Sequence, residues 1–463
     1  MYQIDFNTPI NVHFIGIGGI SMSGLAEVLL NKGFQVSGSD NKASELTDSL
    51  KEKGACIYIG QRAGNIKPGT DLVVYSAAIK KDNPEYAESE RMGLPILTRA
   101  ELLGQIMKNY RLPAAVSGTH GKTTTTSMLA SILLKGGFDP TVSVGGILKE
   151  IGGNIRIGNS DSFVTEACEY TNSFLSMFPG IGIILNIEED HLDFFKDIND
   201  IRNSFRKFAL LVPEEGAVVI NANIDNYEEI CKDSPAQVIT FSDDPSKDVR
   251  YSCRDITYDA HGCASYMLIE DGNGLFRINL KVPGSHNISN SLAAIAAARF
   301  LGAGPDAVTD GLESFTGTDR RFEYKGKVGE VTIIDDYAHH PTEIRATLKA
   351  AANYPHKKLF CVFQPHTYSR TKVFFDDFAD ALSLSDQVVL ADIYAAREND
   401  DLGVSSKLLA EAINKDAGEE KACYFNTFDK IEAYLLKTCE PGDLIITMGA
   451  GDIHKVGEEL LGI

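Results

Sequence analysis

The sequence predicts an α/β fold made of several domains, and three observations support that prediction. The chain has 463 residues, which at about 100–200 residues per domain is enough for two to four domains. Short apolar runs alternate with amphipathic helical patterns over almost the whole length, as in folds whose strands alternate with helices. Two of the apolar runs lead directly into glycine-rich turns that precede a helical pattern, which is typical of a parallel sheet with a ligand at its edge.

Composition narrows the class of protein. Apolar residues make up 43% of the chain and charged residues 23%, which excludes a disordered or fibrous chain. The net charge is −20, and this argues against nonspecific binding to nucleic acid or to an anionic membrane, because both need clustered Lys and Arg. A locally basic pocket stays compatible with this charge.

The cysteines and the N-terminal segment indicate the compartment. There is no C-x-x-C pair, so we expect reduced thiols rather than a zinc ribbon or a disulfide framework. Residues 1–10 lack a basic region followed by an apolar stretch, and 18 consecutive apolar residues occur nowhere, so we expect a cytoplasmic protein without membrane insertion. The eight cysteines are Cys56, Cys168, Cys231, Cys253, Cys263, Cys361, Cys423 and Cys439.

Changes in the alternating pattern predict domains over residues 1–110, 111–317 and 318–463. A strand begins near Leu112, after the helix-like segment Glu101–Lys108, and a new series of strand–loop–helix units begins after Gly317. Between about residues 213 and 280 the pattern is polar and hairpin-like, with a turn signal at Asp271–Gly274. We therefore expect a β-rich elaboration of the middle domain.

The first glycine turn follows the predicted strand 12–15 and precedes a helix that we expect to end at Gly33. Gly16 and Gly18 would let the backbone approach a diphosphate at the helix N-terminus. Asp40 ends the next apolar segment, where a ribose-binding acid would stand. Ser21 occupies the third position of G-x-G-x-x-G, so three readings stay open: a nicotinamide or flavin cofactor, another nucleotide diphosphate, or a structural turn.

The second glycine turn has the arrangement of a phosphate-binding loop, with a strand over residues 113–117, a loop and a helix. Its backbone N–H groups would cradle phosphate oxygens, Lys122 would place a charge at the transferred phosphoryl group, and the hydroxyl of Thr123 would bind Mg²⁺. Val116 stands where the usual spacing has a glycine, so the loop is a shortened variant. The predicted loop residues are Gly118, Thr119, His120, Gly121, Lys122, Thr123 and Thr124.

An acid and a histidine follow later strands. Glu166 ends the apolar run 163–166, and His191 comes shortly after the run 181–187. Both strand ends should lie at the carboxyl edge of the sheet beside the phosphate loop. We predict Glu166 and His191 as Mg²⁺ ligands, although a histidine in this position is more often structural because Mg²⁺ prefers oxygen.

Four apolar runs in the last third of the chain each end in a polar segment. This convergence predicts a binding face at one end of a parallel sheet, whereas any one of these residues alone could be a cap or a solvated pair. The polar segments are Asp335–Pro341, Gln364–Arg370, Tyr394–Glu398, which contains Arg397, and Met448–Asp452.

Four motifs taken together resemble the ATP-dependent Mur ligase family: residues 118–123 (GTHGKT), 186–188 (NIE), 283–287 (PGSHN) and 335–341 (DDYAHHP). The run QPHTYSRT at residues 364–371 fits the same pattern, and the resemblance covers nearly the whole chain in order. It implies a Rossmann-like N-terminal domain that binds a UDP-sugar, a central P-loop ATPase domain, and a Rossmann-like C-terminal domain that binds an amino acid.

The activity implied by this resemblance is ATP-dependent joining of L-alanine to the carboxylate of UDP-N-acetylmuramate, with release of ADP and phosphate, in peptidoglycan precursor synthesis. ATP and Mg²⁺ are the implied co-substrate and metal. The glycine turn would then hold the UDP diphosphate rather than a redox cofactor. The implied UDP-sugar residues are Gly16, Gly18, Gly19, Ser39, Asp40 and Ser76.

The resemblance also assigns roles to single residues. Thr123, Glu166 and His191 match the metal ligands, while Asn287 and Asp336 match the contacts to adenine and ribose. Arg321 matches a phosphate-binding residue, and His339 and Arg370 match the residues that frame the reacting carboxyl group and the amino acid. The implied catalytic set is Lys122, His191, Arg321, His339 and Arg370.

The chain departs from the family pattern at a few positions. Cys168 and Glu169 stand in a run where many members have E-A-D-E-S-D, which leaves the role of Glu169 open. Thr367 and Ser285 each replace an arginine of some relatives.

Two other functions stay open on sequence: a ligase that attaches a murein tripeptide, and a P-loop NTPase that acts as a switch. Selectivity among alanine, glycine and serine and the choice between monomer and homodimer stay open as well.

Overall fold

The computed structural model describes residues 2–396, 398–399 and 402–463. By internal packing the chain divides into two compact units. Unit 1 comprises Met1–Glu188, Ile198–Thr240 and Ile295–Gly304, and unit 2 comprises Glu189–Asp197, Phe241–Ala294 and Pro305–Ile463. The predicted domain boundaries near residues 110 and 317 are not tested by this grouping and stay predictions.

The strands of unit 1 form two groups, each with helices between its strands. Its strands are β1 (Asn11–Ile15), β2 (Gln35–Asp40), β3 (Cys56–Ile59), β4 (Leu72–Tyr75), β5 (Ile96–Thr98), β6 (Ala114–Ser117), β7 (Thr141–Leu148), β8 (Gly153–Arg156), β9 (Phe163–Glu166), β10 (Ile181–Ile184), β11 (Ala217–Asn221) and β12 (Gln237–Phe241, of which 237–240 belong to this unit). Its helices are α1 (Ile20–Asn31), α2 (Glu45–Glu52), α3 (Pro84–Arg91), α4 (Arg99–Met107), α5 (Lys122–Lys135), α6 (Ile198–Ala209) and α7 (Tyr227–Cys231), with 3₁₀ turns at Ala63–Asn65, Lys149–Ile151 and Tyr170–Ser176.

Strands β1 to β5 form a parallel sheet in the order β3-β2-β1-β4-β5. The connection reverses direction at β1, so the carboxyl ends of β1, β2 and β4 flank the switch point at which open α/β sheets bind ligands. In register, Ile15 lies beside Ser39 of β2 and Tyr75 of β4. The predicted strand, glycine turn and helix are confirmed, and Gly33 follows α1 with a φ of 84°.

The other strands of unit 1 follow the order β12-β11-β10-β6-β9-β7-β8. β6 runs parallel to both β9 and β10, so the loop after β6 lies between two further strand ends. Residues of β6, β10 and β11 are almost entirely buried, which accounts for their continuous apolar sequences. This sheet confirms the predicted parallel core of the central region.

Unit 2 contains an antiparallel layer and a mostly parallel sheet. Its strands are β13 (Tyr251–Tyr258), β14 (Cys263–Glu270), β15 (Asn273–Pro283), β16 (Glu323–Val328), β17 (Val331–Asp336), β18 (Leu359–Phe363), β19 (Gln387–Leu390), β20 (Ala422–Tyr424) and β21 (Leu444–Met448). Its helices are α8 (His286–Phe300, of which 286–294 belong to this unit), α9 (Pro305–Ser314), α10 (Pro341–Ala352), α11 (Tyr368–Val373), α12 (Phe375–Leu382), α13 (Ser406–Ala417), α14 (Phe428–Thr438) and α15 (His454–Leu461).

The predicted hairpin turn lies between β14 and β15. Asp271 and Gly272 form its two-residue loop, with φ values of 48° and 76°. Two positive φ angles are the signature of the type I′ turn, whose twist matches that of the strands it joins. β13, β14 and β15 pair antiparallel, which confirms the β-rich character predicted for this region.

The second sheet of unit 2 has the order β16-β17-β21-β18-β19-β20, and β17, β21, β18 and β19 are parallel neighbours. In register, Met448 lies beside both Asp336 and Phe363, and Phe363 lies beside Leu390. The four polar segments predicted to converge therefore do leave the same edge of one sheet. No helix among the described residues is long and apolar enough to cross a membrane.

Candidate functional site

The phosphate loop joins β6 to α5 in unit 1, and two glycines give it its shape. Gly118 and Gly121 have φ values of 140° and 84°, which side chains with a Cβ rarely adopt. A Cβ on Gly118 would lie 2.9 Å from the Cβ of Leu185, at the end of β10. The loop is therefore pressed against its neighbouring strand, and its backbone can only be glycine at this point.

Asn186 fixes the loop from the strand beside it. Its Oδ1 accepts a hydrogen bond from the backbone N of His120 at 2.8 Å, and its Nδ2 donates to the carbonyl of His120 at 3.1 Å. The hydroxyl of Thr119 accepts from the backbone N of Glu188 at 3.0 Å. In the sequence Asn186 stands out only as part of the motif at residues 186–188, and its one local signal is a polar residue shortly after a buried strand.

Lys122, at the first position of α5, is held by the loop that precedes it. Its ammonium donates to the carbonyl oxygens of Gly118 and Thr119, and it lies 3.0 Å and 3.2 Å from the two carboxylate oxygens of Glu169. Burial by itself would lower the pKa of Lys122, but Glu169, Cys168 and Glu166 together outweigh it and the pKa is raised. The lysine is therefore a charged group whose position is set by three partners.

Glu169 is a site residue whose role the sequence left open. It is buried beside Lys122, while its neighbour Cys168 is a half-buried thiol whose pKa is raised, by desolvation first and by Glu169 second. A thiol held in this form is not a ready nucleophile. The structure thus separates these two neighbours, since Glu169 contacts the loop lysine and Cys168, which departs from the family pattern, adds no reactive group.

The predicted oxygen ligands in unit 1 are Thr123 and Glu166. Thr123 is buried in the first turn of α5. Glu166, at the end of β9, accepts a hydrogen bond from the backbone N of Gly145 at 2.5 Å, and its charge helps to raise the pKa of Lys122. A hydroxyl and a carboxylate are hard oxygen donors of the kind that Mg²⁺ prefers, so this donor set fits the metal. Thr124, the last predicted loop residue, is half-buried.

His191, the third predicted metal ligand, belongs to unit 2 and lies beside Asp190. The Nε2 of His191 is 3.7 Å from Asp190 Oδ2, and its backbone has a φ of 55°. Asp190 is bound by Arg370, whose Nη2 and Nε lie 3.0 Å and 3.3 Å from Oδ1. Burial would raise the pKa of Asp190, but Arg370 and His191 outweigh it and hold the pKa well below its usual range.

His339 and Arg321 lie near Glu343 in unit 2. The backbone N of His339 donates to Glu343 Oε2 at 3.1 Å, and its Nδ1 is 3.0 Å from the carbonyl of Tyr337. Burial lowers the pKa of His339 to about 3 although Glu343 acts in the opposite direction, so His339 is neutral at pH 7. Arg321 lies over the ring of Tyr337 at 5.2 Å, and its Nη1 forms a long ion pair with Glu343 Oε1 at 3.9 Å.

The two predicted nucleoside contacts already have protein partners. The carboxylate of Asp336 accepts from the backbone N of Phe322 at 2.9 Å and of Ala338 at 2.7 Å. Burial raises its pKa to about 6, although Arg321 and these hydrogen bonds act in the opposite direction. Asn287 donates to the carbonyl of Pro283 at 2.7 Å. Their contacts to adenine and ribose stay predictions.

Arg320, next to the predicted Arg321, has a structural role. Its guanidinium binds Asp335 at 3.0 Å and the carbonyls of Gly449 and Gly451 at 2.7 Å and 3.1 Å. It thereby ties the ends of β17 and β21 together. Sequence alone did not separate these two adjacent arginines, and the structure does so because the ion pair of Arg321 with Glu343 is longer, at 3.9 Å, than that of Arg320 with Asp335.

The remaining polar segments surround Arg370. The ring of His366 stacks on that of Tyr394 with centroids 5.6 Å apart, and its Nδ1 lies 3.4 Å from Arg370 Nη1. Glu398 accepts from the backbone N and the hydroxyl of Ser369 at 2.9 Å and 2.5 Å. Arg397, named from the sequence in the same segment, lies outside the described residues.

The glycine turn of unit 1 is fixed by β2 and β4. The backbone N atoms of Gly16 and Ile17 donate to the carbonyl of Ser39, and the N of Gly18 donates to Asp40 at 2.9 Å. A Cβ on Gly16 would lie 2.9 Å from the hydroxyl of Ser76.

The side chains of these residues differ in what they can offer a ligand. The hydroxyl of Ser39 is fully buried and donates to Glu85 at 2.5 Å, whereas Gly19 is exposed at the start of α1. The turn brings Gly16, Gly18, Gly19, Asp40 and Ser76 to one edge of the sheet, and Ser39 contributes through its backbone. The binding of a UDP-sugar here stays a prediction.

Comparison with known proteins places these features in a family. Residues 11–111 match the Mur ligase family catalytic domain, residues 116–298 the Mur ligase middle domain, and residues 320–451 the Mur ligase glutamate ligase domain. The UDP-N-acetylmuramate–L-alanine ligase of Lachnospira eligens is 60% identical, and the alignment covers 100% of both chains. The UDP-N-acetylmuramate–L-alanine ligase of Acetivibrio thermocellus is 52% identical, and the alignment covers 99% of this chain and 97% of the relative.

Solved structures give the same picture. A UDP-N-acetylmuramate–alanine ligase from Thermotoga maritima matches with a TM-score of 0.80 and 31% identity, over 98% of both chains. A murein peptide ligase from Psychrobacter arcticus matches with a TM-score of 0.71 and 25% identity, again over 98% of both chains. The similarity therefore extends over the whole fold and not over the phosphate loop alone.

Proposed function

The chain belongs to the Mur ligase family, with its three-domain α/β fold, and is an ATP-dependent ligase that joins L-alanine to UDP-N-acetylmuramate, and we propose that it does so through an acyl phosphate formed at the loop of Lys122. The observation that carries this proposal is the lysine itself. It is a charged ammonium at the start of α5, positioned by the loop carbonyls and by Glu169.

The proposed reaction has two steps. The carboxylate of UDP-N-acetylmuramate attacks the γ-phosphorus of ATP, the bond to the β-phosphate oxygen breaks, and ADP leaves. The amine of L-alanine then attacks the acyl carbon, loses a proton, and displaces inorganic phosphate to give the amide. Two anions must meet in the first step, so cationic groups have to offset their repulsion and stabilise the transferring phosphoryl group.

The side chains divide these tasks between them in our proposal. Lys122 and Arg321 supply positive charge to the phosphates, and Arg321 suits this because its ion pair with Glu343 is a long one, at 3.9 Å. Thr123 and Glu166 would hold Mg²⁺, which when bound neutralises phosphate charge, and His191 stays the third predicted ligand. The neutral imidazole of His339 is a hydrogen-bonding group for the reacting carboxyl group. Arg370 binds the carboxylate of L-alanine in a planar, bidentate manner that lysine cannot reproduce.

The remaining contacts concern the two nucleotides. The glycine turn after β1 holds the diphosphate of the UDP-sugar, because the first-turn N–H groups and the helix dipole of α1 favour an anion at that end. Asn287 and Asp336 face the adenosine of ATP. The product is a precursor of peptidoglycan, so the activity supports cell-wall synthesis and, through it, cell shape and division, and we place the enzyme in the cytoplasm.

A product assay tests the reaction class. Release of ADP should require both UDP-N-acetylmuramate and an amino acid, and L-alanine should be preferred to glycine, serine and a murein tripeptide. Preference for the tripeptide would indicate a recycling ligase, and ADP release without the UDP-sugar would indicate a switch NTPase. Oxygen-18 placed in the carboxylate of the UDP-sugar should appear in released phosphate, and its retention in the amide alone would reject the acyl phosphate.

A further inference from the structure

With the contact to Glu169, every N–H donor of the Lys122 ammonium has an acceptor. An ammonium has three N–H donors, and here the carbonyls of Gly118 and Thr119 and the carboxylate of Glu169 accept from it. The side chains of Lys122 and Glu169 are 17% and 4% exposed. A phosphate oxygen that binds Lys122 must therefore replace one of these three partners.

Glu169 is the partner best placed to leave. The two carbonyls belong to the loop, which the hydrogen bond from the backbone N of Thr119 to the carbonyl of Asn186 and the close approach of Gly118 to Leu185 hold in place. Glu169 comes from a different segment and reaches the ammonium through a side chain with rotatable bonds. Its carboxylate would also repel a phosphate bound to the same ammonium.

The backbone that follows Glu169 is strained. Thr171 and Asn172 both have positive φ, 54° and 57°, a conformation that costs energy for residues other than glycine. Strain of this kind persists where the surrounding structure enforces it, often at functional sites. Here the side chain of Asn172 accepts a hydrogen bond from Ser204 on α6, so the turn that presents Glu169 is held from outside the loop.

We propose that Glu169 is a positioning residue that competes with the terminal phosphate of the nucleotide for Lys122. It keeps the ammonium aimed along the loop, and it gives up this contact when the phosphate binds. The proposal rests on the proposed function, because it takes the ligand of the loop to be a nucleoside di- or triphosphate. Its consequence is that the charge of Glu169 weakens nucleotide binding.

The test is the affinity of the full chain for ADP, measured by isothermal titration calorimetry with and without Mg²⁺. Glu169→Gln keeps the shape of the side chain and removes its charge. A hydrogen bond between charged partners is stronger than one with a neutral amide, so we expect the dissociation constant for ADP to fall by about five- to tenfold. AMP has no phosphate that reaches Lys122, and its affinity should not change.

Glu27→Gln is the matched control. Glu27 on α1 pairs with Lys53 at 2.7 Å in the same unit, and loss of this pair should leave the affinity for ADP at the wild-type value. Glu169→Asp withdraws the carboxylate by one methylene and should give a smaller gain in the same direction. It replaces Glu169→Gln if that variant does not fold.

Three other results of the ADP titration would overturn the proposal, and each has a different meaning. An unchanged or weaker affinity for ADP in Glu169→Gln would mean that the two anions do not compete. A loss of affinity only in the presence of Mg²⁺ would make Glu169 a metal ligand instead. Failure of the wild-type chain to bind ADP at all would reject the proposed function itself, which the wild-type titration detects separately.

Discussion

The guanidinium of Arg370 donates two hydrogen bonds to the carboxylate of Asp190, with Nη2 3.0 Å and Nε 3.3 Å from Oδ1. The two side chains are 11% and 9% exposed, so little water competes for either. The residue proposed to bind the amino acid is thus oriented by an acid adjacent to His191, a proposed metal ligand. Because Asp190 already restricts the conformations of the Arg370 side chain, less conformational entropy is lost when the substrate binds, and the guanidinium is held in a defined orientation.

Arg370→Lys should raise the apparent KM for L-alanine much more than that for ATP. Lysine cannot offer a planar pair of donors to a carboxylate, and loss of a charge-assisted hydrogen bond of about 1.5–3 kcal/mol corresponds to roughly 10- to 150-fold. Steady-state kinetics with each substrate varied in turn would measure this. The melting temperature should fall as well, since the contact with Asp190 is also weakened.

Arg345→Lys is the control for this variant. Arg345 binds Asp380 at 2.6 Å in the same unit, but Asp380 is mostly exposed, and exposed ion pairs contribute little to stability. Its kinetics and melting temperature should match those of the wild type. Equal increases of the KM for ATP and for L-alanine in Arg370→Lys would contradict the proposed role of Arg370 in amino-acid binding.

Asp190→Asn should change the acid stability of the protein. The pKa of Asp190 in the folded protein lies below its unfolded-state value of about 3.9. The ionised carboxylate therefore stabilises the folded state fully above that pH, and this stabilisation is lost as the pH falls through the folded-state pKa. The difference in unfolding free energy between wild type and Asp190→Asn should be constant from about pH 7 to 5 and shrink below about pH 4. Urea unfolding at a series of pH values measures it, and a difference that persists unchanged at pH 3 would be inconsistent with the ion pair.

Lys122→Ala should lose both turnover and stability. Loss of one preorganised charge at a transferring group costs about 100- to 1,000-fold in rate. It also removes the ammonium that offsets the burial of the Glu169 carboxylate, and breaking a buried pair costs about 3–5 kcal/mol. Product assays and thermal unfolding measure the two effects. The double variant Lys122→Ala/Glu169→Gln should regain the melting temperature but not the rate, and recovery of both would remove Lys122 from the mechanism.

The strands could be predicted because burial leaves a local signature. β18 ends at Phe363, directly before the polar segment predicted to begin at Gln364. β17 and β21 end within one residue of the predicted starts of the segments Asp335–Pro341 and Met448–Asp452. Strands buried on both faces are continuous apolar segments, and parallel neighbours bring the residues that follow them to one edge. The convergence of Asp336 and Met448 therefore follows from sequence order and sheet topology together.

The partners of the site residues could not be predicted in the same way. Lys122 and Thr123 stand in one short loop, so local spacing identifies them. Glu169 lies 47 residues from Lys122, and Asp190 lies 180 residues from Arg370. These contacts depend on how the segments pack in three dimensions, and no sequence period encodes such a distance.

Glu166→Gln should raise the Mg²⁺ concentration needed for half-maximal rate at saturating ATP. The amide keeps an acceptor for the backbone N of Gly145, 2.5 Å from Glu166 Oε1, but removes a charge that a hard cation needs. Loss of an outer-sphere partner alone costs about 10- to 100-fold in metal affinity, so the increase should be at least about tenfold. Glu150→Gln, which alters a carboxylate bound to Ser131 in the same unit, should leave the titration unchanged. If Glu166→Ala shifts the titration and Glu166→Gln does not, the hydrogen bond to Gly145 rather than the metal is what Glu166 provides.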